Sequence, residues 1–341
     1  MLNEKIYNCI LEIKRPVHIG CGEEFDITNF YITDVGNESY IVYFTSDRLI
    51  DKLNENEKNE LISQINKNNL FNSFKKINEF AKKYKPDGYK ILISPELKSH
   101  YDSVMQNIGS NLNMFVIQRT AHLTNNIPYI PGSSIKGFVR TAYLNSIQEI
   151  LKNKTLSDYT IYTKRYGNHE KPIYLSNKLE MDLLKGKFST DPFSYIKISD
   201  FMPESDIKTM ILYTINFKKG SNEKAKGPYQ ILECVTSGKF KGSIKIINNE
   251  HNKNDIKVLK EACNNFLTET VISEQKDKNI EIEKDNNTIN LIIGKYSGKE
   301  VVTIKKFRGK NDPTTYWKPA KDKDGKNIIA DSFGLVTIKY Q

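Results

Sequence analysis

Two hydroxyls and two cations fall close together at Ser133, Ser134, Lys136 and Arg140, directly after the turn Tyr129-Ile-Pro-Gly132. No acid-base constellation accompanies them, so binding rather than bond breaking is the chemistry they suit. Pro131 fixes its own φ, Gly132 permits a sharp turn, and Ser133 or Ser134 can cap the first free N–H groups of a helix. The apolar positions Ile135, Val139, Ala142, Tyr143, Ile147, Ile150 and Leu151 recur every three or four residues, which predicts one buried stripe. Lys136 and Arg140 share the opposite face, and Gly137 keeps the first turn low enough for another backbone to approach. Exposed N–H groups, the positive end of the helix dipole and two cations then form an anion site suited to a phosphate backbone. The same spacing also suits an ordinary helix whose Lys and Arg are solvated.

Two glycine-bearing loops are the next candidates. Val17-His-Ile-Gly-Cys-Gly-Glu23 follows a strand that Arg15-Pro16 ends, and it holds His18. A histidine beside a glycine loop, without a partner at useful spacing, reads as a packed or hydrogen-bonded residue rather than a catalyst. Gly294-Lys-Tyr-Ser-Gly-Lys-Glu300 can offer backbone N–H groups to phosphate, with Lys295 and Lys299 beside Gly294 and Gly298. It lacks Walker spacing, which argues against nucleotide hydrolysis. Between Lys152 and Ser189, Tyr159, Tyr162, Tyr166 and Tyr174 interleave with Lys164 and Arg165. Such a stretch can stack single-stranded bases, or pack a loop on the body, and packing is the preferred reading.

The chain has 341 residues, with 51 basic against 41 acidic, a net charge of +10 that favours a polyanionic partner. Seven lysines against two glutamates lie in 216–247, and ten basic against five acidic residues in 299–341. A general lysine bias of the source proteome would account for many of these. Cys9, Cys21, Cys234 and Cys263 show no close pairing, and His18, His100, His122, His169 and His251 are scattered, so neither a disulfide framework, a metal nor another cofactor is expected. Without an apolar leader or a long apolar run, the expectation is a cytoplasmic protein with no membrane contact.

Strands are expected at 6–13, 30–33, 40–44, 89–94 and 112–119, with helix between about Ser46 and Tyr84. Further strands are expected at 191–200, 210–217, 230–235, 239–247, 288–293 and 332–336, and a helix at 255–272. Strand, strand, helix, strand order suits an α+β sandwich of the ferredoxin or RRM type. The expected organisation is two ferredoxin-like domains, 1–200 and 201–341, with a mainly helical insertion at about 46–125.

Ile130-Pro-Gly-Ser-Ser-Ile-Lys-Gly137 followed by Arg140 resembles a signature of the RAMP superfamily, the RNA-binding subunits of CRISPR effector complexes. Pro16 to Glu24 is similar to that family's opening motif, where a strand leads into a loop near the guide RNA. Ile293 to Thr303, Thr314-Thr-Tyr-Trp317 and Ser332-Phe-Gly-Leu-Val336 narrow the resemblance to the family of fifth subunits of the Csm complex, the type III-A effector. Tryptophan often follows the terminal glycine there, whereas this chain has Leu335. The resemblance implies a non-catalytic subunit that caps the backbone filament at the guide RNA 3′ end and supports guide maturation by host nucleases. The implied partners are guide RNA, other Csm subunits, above all the backbone RAMP subunit, and target RNA. The implied contacts are His18, Ser133, Ser134, Lys136, Arg140, Gly294, Lys295, Gly298 and Lys299. The alternative within the superfamily is a metal-independent endoribonuclease that processes guide precursor or cleaves target, with Asp26 as the nearest catalytic candidate. A basic RNA-binding protein outside any effector is a third reading.

Overall fold

Alternation in Asn3–Ile13 (β1) sends Cys9, Leu11 and Ile13 into the core and leaves Glu4, Ile6, Asn8, Ile10 and Glu12 on the other face. The computed structural model describes residues 3–308 and 315–341 apart from 26, 67–69, 107–114, 167–168, 188–189, 220, 222, 226 and 274–279. After β1 come β2 (Gly20–Phe25), β3 (Phe30–Val35) and β4 (Glu38–Tyr43), then helices α1 (Ser46–Ile50), α2 (Glu55–Asn66) and α3 (Leu70–Tyr84). Next are β5 (Tyr89–Ile93), α4 (Pro95–Gln106), β6 (Ile117–Thr120) and the signature helix α5 (Gly132–Ser146). A hairpin of β7 (Thr160–Tyr166) and β8 (His169–Tyr174), helix α6 (Ser176–Leu184) and β9 (Ile196–Ile198) lead to two long strands, β10 (Met202–Lys218) and β11 (Gln230–Asn248). Helix α7 (Ile256–Asn265), β12 (Thr288–Ile292), β13 (Thr315–Ala320) and β14 (Leu335–Tyr340) follow. Asp255 caps α7 by accepting from the Lys257 and Val258 N–H groups, so this helix starts where its sequence signal puts it.

The fold is mixed α/β. All the described strands but β7 and β8 join a twelve-stranded sheet whose main path runs β12-β14-β1-β11-β10-β5-β4-β3. Helices α5 and α7 pack on one face of its β12-β14-β1-β11 end, with Phe138 against Phe266 at 5.6 Å between ring centroids. A second core gathers Phe25, Phe30, Ile91, Tyr101, Phe115, Tyr213 and Ile231 around β3, β4, β5 and the first half of β11. Both cores take residues from either side of position 200, so neither is a sequence-contiguous half.

Four expectations change. The separate strands at 230–235 and 239–247 are one strand, because Gly238, at φ +131, lets β11 bend through a register irregularity and continue. Glycine there reads as a turn in sequence, but its neighbour β10 supplies a partner on both sides of the bend. The terminal strand begins at Leu335, after Gly334 makes a tight approach to the Ile293 carbonyl at φ +87. Within 46–125, β5 and β6 enter the main sheet by parallel pairing to β10 and β11, so this segment is built into the body. Ile150, expected in the buried stripe, is 46% exposed, because α5 ends at Ser146 and the following 3₁₀ turn rotates it outward.

Candidate nucleic-acid interface

Helix α5 starts at Gly132, whose N–H donates to Asp200 Oδ1 at 2.8 Å. Neither Ser133 nor Ser134 caps it; the Ser134 N–H donates to the Pro131 carbonyl at 3.0 Å. A carboxylate thus already occupies the anion position that the sequence offered to phosphate. Gly132 is required by packing, since a Cβ there would overlap the Ile198 and Ser199 backbone. Ser133 is exposed and Gly137 opens to free space, so the first turn remains approachable from outside.

The two helix cations are held by the protein. Lys136 Nζ donates to the Phe193 carbonyl at 2.7 Å, and burial, helped by nearby Lys197, lowers its pKa. Arg140 forks between Glu180 Oε2, 2.6 Å from one terminal nitrogen and 2.9 Å from Nε, and Asp191 Oδ2, 2.7 Å from the other. Its guanidinium also lies 5.2 Å from the Phe193 ring centroid. The expected pair of free phosphate contacts is therefore corrected: Arg140 ties α6 and the 191–193 segment to α5, as the planar fork of arginine suits. Sequence spacing could not reveal this, because Glu180 and Asp191 are 40 and 51 residues away.

His18 has no exposed surface. Its Nδ1 is 2.8 Å from the Glu233 carbonyl and Nε2 finds no partner among the described residues, while burial lowers its pKa to about 4. The ring is neutral at pH 7 and sealed from solvent, so it cannot touch RNA in this conformation. What it offers is its backbone: the His18 carbonyl accepts the Lys295 N–H at 2.8 Å. The structure thus brings His18, Gly294 and Lys295 together from opposite ends of the chain.

The loop itself fits the anion-binding expectation better. Gly294 and Gly298 have φ of +87 and +106, which glycine adopts freely. Lys295 is exposed, and its Nζ donates to Gln118 Oε1 at 2.7 Å and Gln230 Oε1 at 3.1 Å. These amides position the cation without neutralising it. Exposed Lys299 opens a 3₁₀ turn whose C-cap residue Thr303 is tied to α5 by its carbonyl, which accepts from Asn145 Nδ2 at 3.2 Å. Gly294→Ala would force a left-handed conformation costing about 1–2 kcal/mol and would push a methyl into the His18 carbonyl. An unfolding midpoint in urea equal to wild type would show that the loop is not seated on His18.

Beneath the loop lies a buried Glu233–Arg119 contact absent from the sequence expectations. Glu233 Oε2 accepts the Thr120 N–H at 3.1 Å and lies 3.9 Å from Arg119 Nε. Arg119 reaches Glu23 and Asn126 and stacks 4.4 Å from the Phe25 ring centroid. Burial raises the Glu233 pKa to about 7 against the opposing pull of Arg119. The only hint was a glutamate and an arginine inside otherwise apolar strands.

Tyr159 is buried, with its hydroxyl on Asp182 Oδ2 at 3.0 Å, as the packing reading expects, whereas Tyr174 is 45% exposed and departs from it. The side chains of Tyr162, Lys164, Arg165 and Tyr166, and the whole of Asp26, lie outside the described residues. Among the described residues no group of three or more His, Cys, Asp or Glu is placed to hold a metal, and no helix is long and apolar enough to cross a membrane.

A family model for the RAMP superfamily matches residues 10–318. Over 297 residues, 80% of the chain, the sequence is 32% identical to the CRISPR system Cms protein Csm5 of Methanocaldococcus jannaschii, covering 64% of that protein. Over 219 residues, 62% of the chain, it is 26% identical to the protein of the same name from Streptococcus thermophilus, covering 55% of it. The chain thus spans less than two thirds of the length of these relatives. In a cryo-EM structure of a Csm-crRNA-target RNA ternary complex of a type III-A CRISPR-Cas system, one chain superposes with a TM-score of 0.62 at 16% identity. That match covers 98% of this chain and 100% of the other, and it is a likeness of fold.

Proposed function

The chain belongs to the RAMP superfamily, and from that premise we propose that it is a non-catalytic RNA-binding subunit of a type III-A CRISPR effector, the Csm complex. The observation that carries this reading is the loop at Gly294–Lys299: an exposed Lys295 held by neutral amides, on glycines whose backbone is seated against His18. Likeness to two proteins named Csm5 supports the same assignment. Its partners are guide RNA and the other Csm subunits, above all the backbone RAMP subunit, with target RNA and host maturation nucleases as further ones. It caps the backbone filament at the guide RNA 3′ end and supports guide maturation in antiviral defence, in the cytoplasm.

We read the architecture as two ferredoxin-like lobes sharing the β10–β11 hairpin. In the first, the order β1-α5-β9-β11-α7-β12 supports that reading, with α5 and α7 on one face. The RNA contacts we assign are Gly294, Lys295, Gly298 and Lys299, together with the exposed first turn of α5 at Ser133; His18 supports the loop from beneath. Because His18 is sealed from solvent and burial makes its ring a weaker base, it is unfit as a general base for cleavage.

Lys295→Ala removes one cation from this set. The slope of log affinity against log salt for a single-stranded oligouridine falls by roughly 0.7, the share of one phosphate contact. Fluorescence anisotropy across a potassium chloride series reads the slope. An unchanged slope would take the loop out of the interface, and wild-type protein that binds no single-stranded RNA would overturn the RNA-binding assignment itself.

A further inference from the structure

The face of the β14-β1-β11-β9 sheet opposite α5 and α7 has a composition that the loop site does not explain. Cross-strand register places three rows of side chains there: Lys197, Lys245 and Ile6; Met202, Lys241 and Ile10; Ser205, Lys239 and Glu12. Asn8 and Ser243 lie between the first two rows. Five lysines, with Lys339 opposite Ile10 as the fifth, thus share this surface with two strand carboxylates, Glu4 and Glu12. Glu4 is spent on Lys245 at 2.6 Å and Glu12 on Lys14 at 3.0 Å. Lys197, Lys239 and Lys241 are exposed and form no ion pair with any described residue. Ile6 is 62% exposed and Met202 44%, so the apolar members of the rows are also uncovered. At the β14 side the face is closed by Glu283, which pairs with Lys14 at 2.7 Å and Lys339 at 3.1 Å.

We infer that this open sheet face is a second RNA surface, a track for the phosphate backbone of a single strand, with Lys197, Lys239 and Lys241 as its phosphate contacts. The inference rests on the RNA-binding assignment above and adds a surface to it. Charge complementarity selects the occupant: like-charged lysines left unpaired on one face of a stable sheet are favourable against a polyanion and costly against most proteins. Lys239 and Lys241, two residues apart on one strand, stand about 6.6–6.8 Å from each other along it, a step comparable with successive phosphates of an extended strand. No aromatic side chain stands in the three rows, so the track lacks stacking platforms and holds RNA without sequence preference. Lys197 is also near enough to Lys136 to affect its charge, so the cations continue around the β9 edge towards the signature helix.

The test uses the full chain carrying Lys197→Gln, Lys239→Gln and Lys241→Gln together. These exposed positions leave the thermal midpoint unchanged, while the log affinity against log salt slope for oligouridine falls by about 2, three contacts at roughly 0.7 each. Lys295→Ala, on the loop, is measured beside it and lowers the slope by its own single share. A triple variant with wild-type slope, while wild type binds and Lys295→Ala weakens it, overturns the track and leaves the RNA-binding assignment standing. Loss of assembly with the other effector subunits at an unchanged RNA slope would assign the face to a protein partner and equally overturn it. Wild type without RNA affinity overturns both.

Discussion

Arg140→Ala lowers the free energy of unfolding by about 2–3 kcal/mol and leaves the salt dependence of RNA binding unchanged. The side chain is 25% exposed and its partner Asp191 12%, so removing the guanidinium strands a mostly buried carboxylate and frees Glu180 from its anchor. The expected loss sits below the roughly 3–5 kcal/mol of a wholly buried broken pair because water still reaches a quarter of the arginine. Arg140→Lys recovers only part of it, since one ammonium cannot reach both carboxylates with the geometry of the fork. Urea unfolding of wild type, the two variants and the Arg140→Ala/Asp191→Asn double variant gives the coupling between the partners. A loss under about 0.5 kcal/mol, in the range of an exposed side chain, together with a reduced salt slope, would return Arg140 to the RNA and undo the positioning role.

This helix also marks the limit of what the sequence made legible. Its start at the Pro-Gly turn and its apolar stripe through Ile135, Val139 and Ala142 follow from local chemistry, and the structure has them where the spacing put them. The face that was legible only as polar is where the reading went astray. Periodicity says that Lys136 and Arg140 avoid the core, but only tertiary folding brings Phe193, Glu180 and Asp191 against them. His18 reverses the lesson: a lone histidine without a partner was read as a packed residue, and it is one, whereas family resemblance placed it among RNA contacts. The Gly294–Lys299 loop was legible as a glycine turn, and the positive φ of Gly294 and Gly298 fits that, because glycine's conformational freedom is local. Its seat on His18 was not, since those residues are joined only by the arrangement of β1, β11 and β14. Gly238 and Gly334 illustrate the remaining ambiguity, for a glycine that ends a strand and one that bends it look alike until the neighbouring strand is known.

Glu233→Gln is expected to stabilise the protein by about 3 kcal/mol at pH 8 and by almost nothing at pH 4.5. In the fold, burial raises the Glu233 pKa to about 7, above the ordinary value of 4.5. The carboxyl is therefore neutral in the native state when it is already ionised in the unfolded chain. Its contribution is fully present below pH 4.5 and is lost as pH rises through 7, at roughly 1.4 kcal/mol per pH unit. His18 runs the other way. Burial lowers its pKa from 6.5 to about 4, so only the unfolded chain takes up a proton between those values, and stability falls as the solution is acidified across them. Between about pH 4.5 and 6.5 the Glu233 and His18 slopes oppose each other. Glutamine keeps an acceptor for the Thr120 N–H and removes only the charge. Relative to wild type, the variant should then lose stability on acidification from pH 6.5 to 4.5, and the His18→Asn difference should tilt the opposite way. Taking differences from wild type cancels the carboxylates common to both, including Asp322 and Glu283, whose lowered pKa values act at more acid pH. Urea unfolding from pH 4.5 to 8 decides the matter: a Glu233→Gln difference that does not grow with pH would mean that the carboxyl is ionised in the fold and that Arg119 neutralises it.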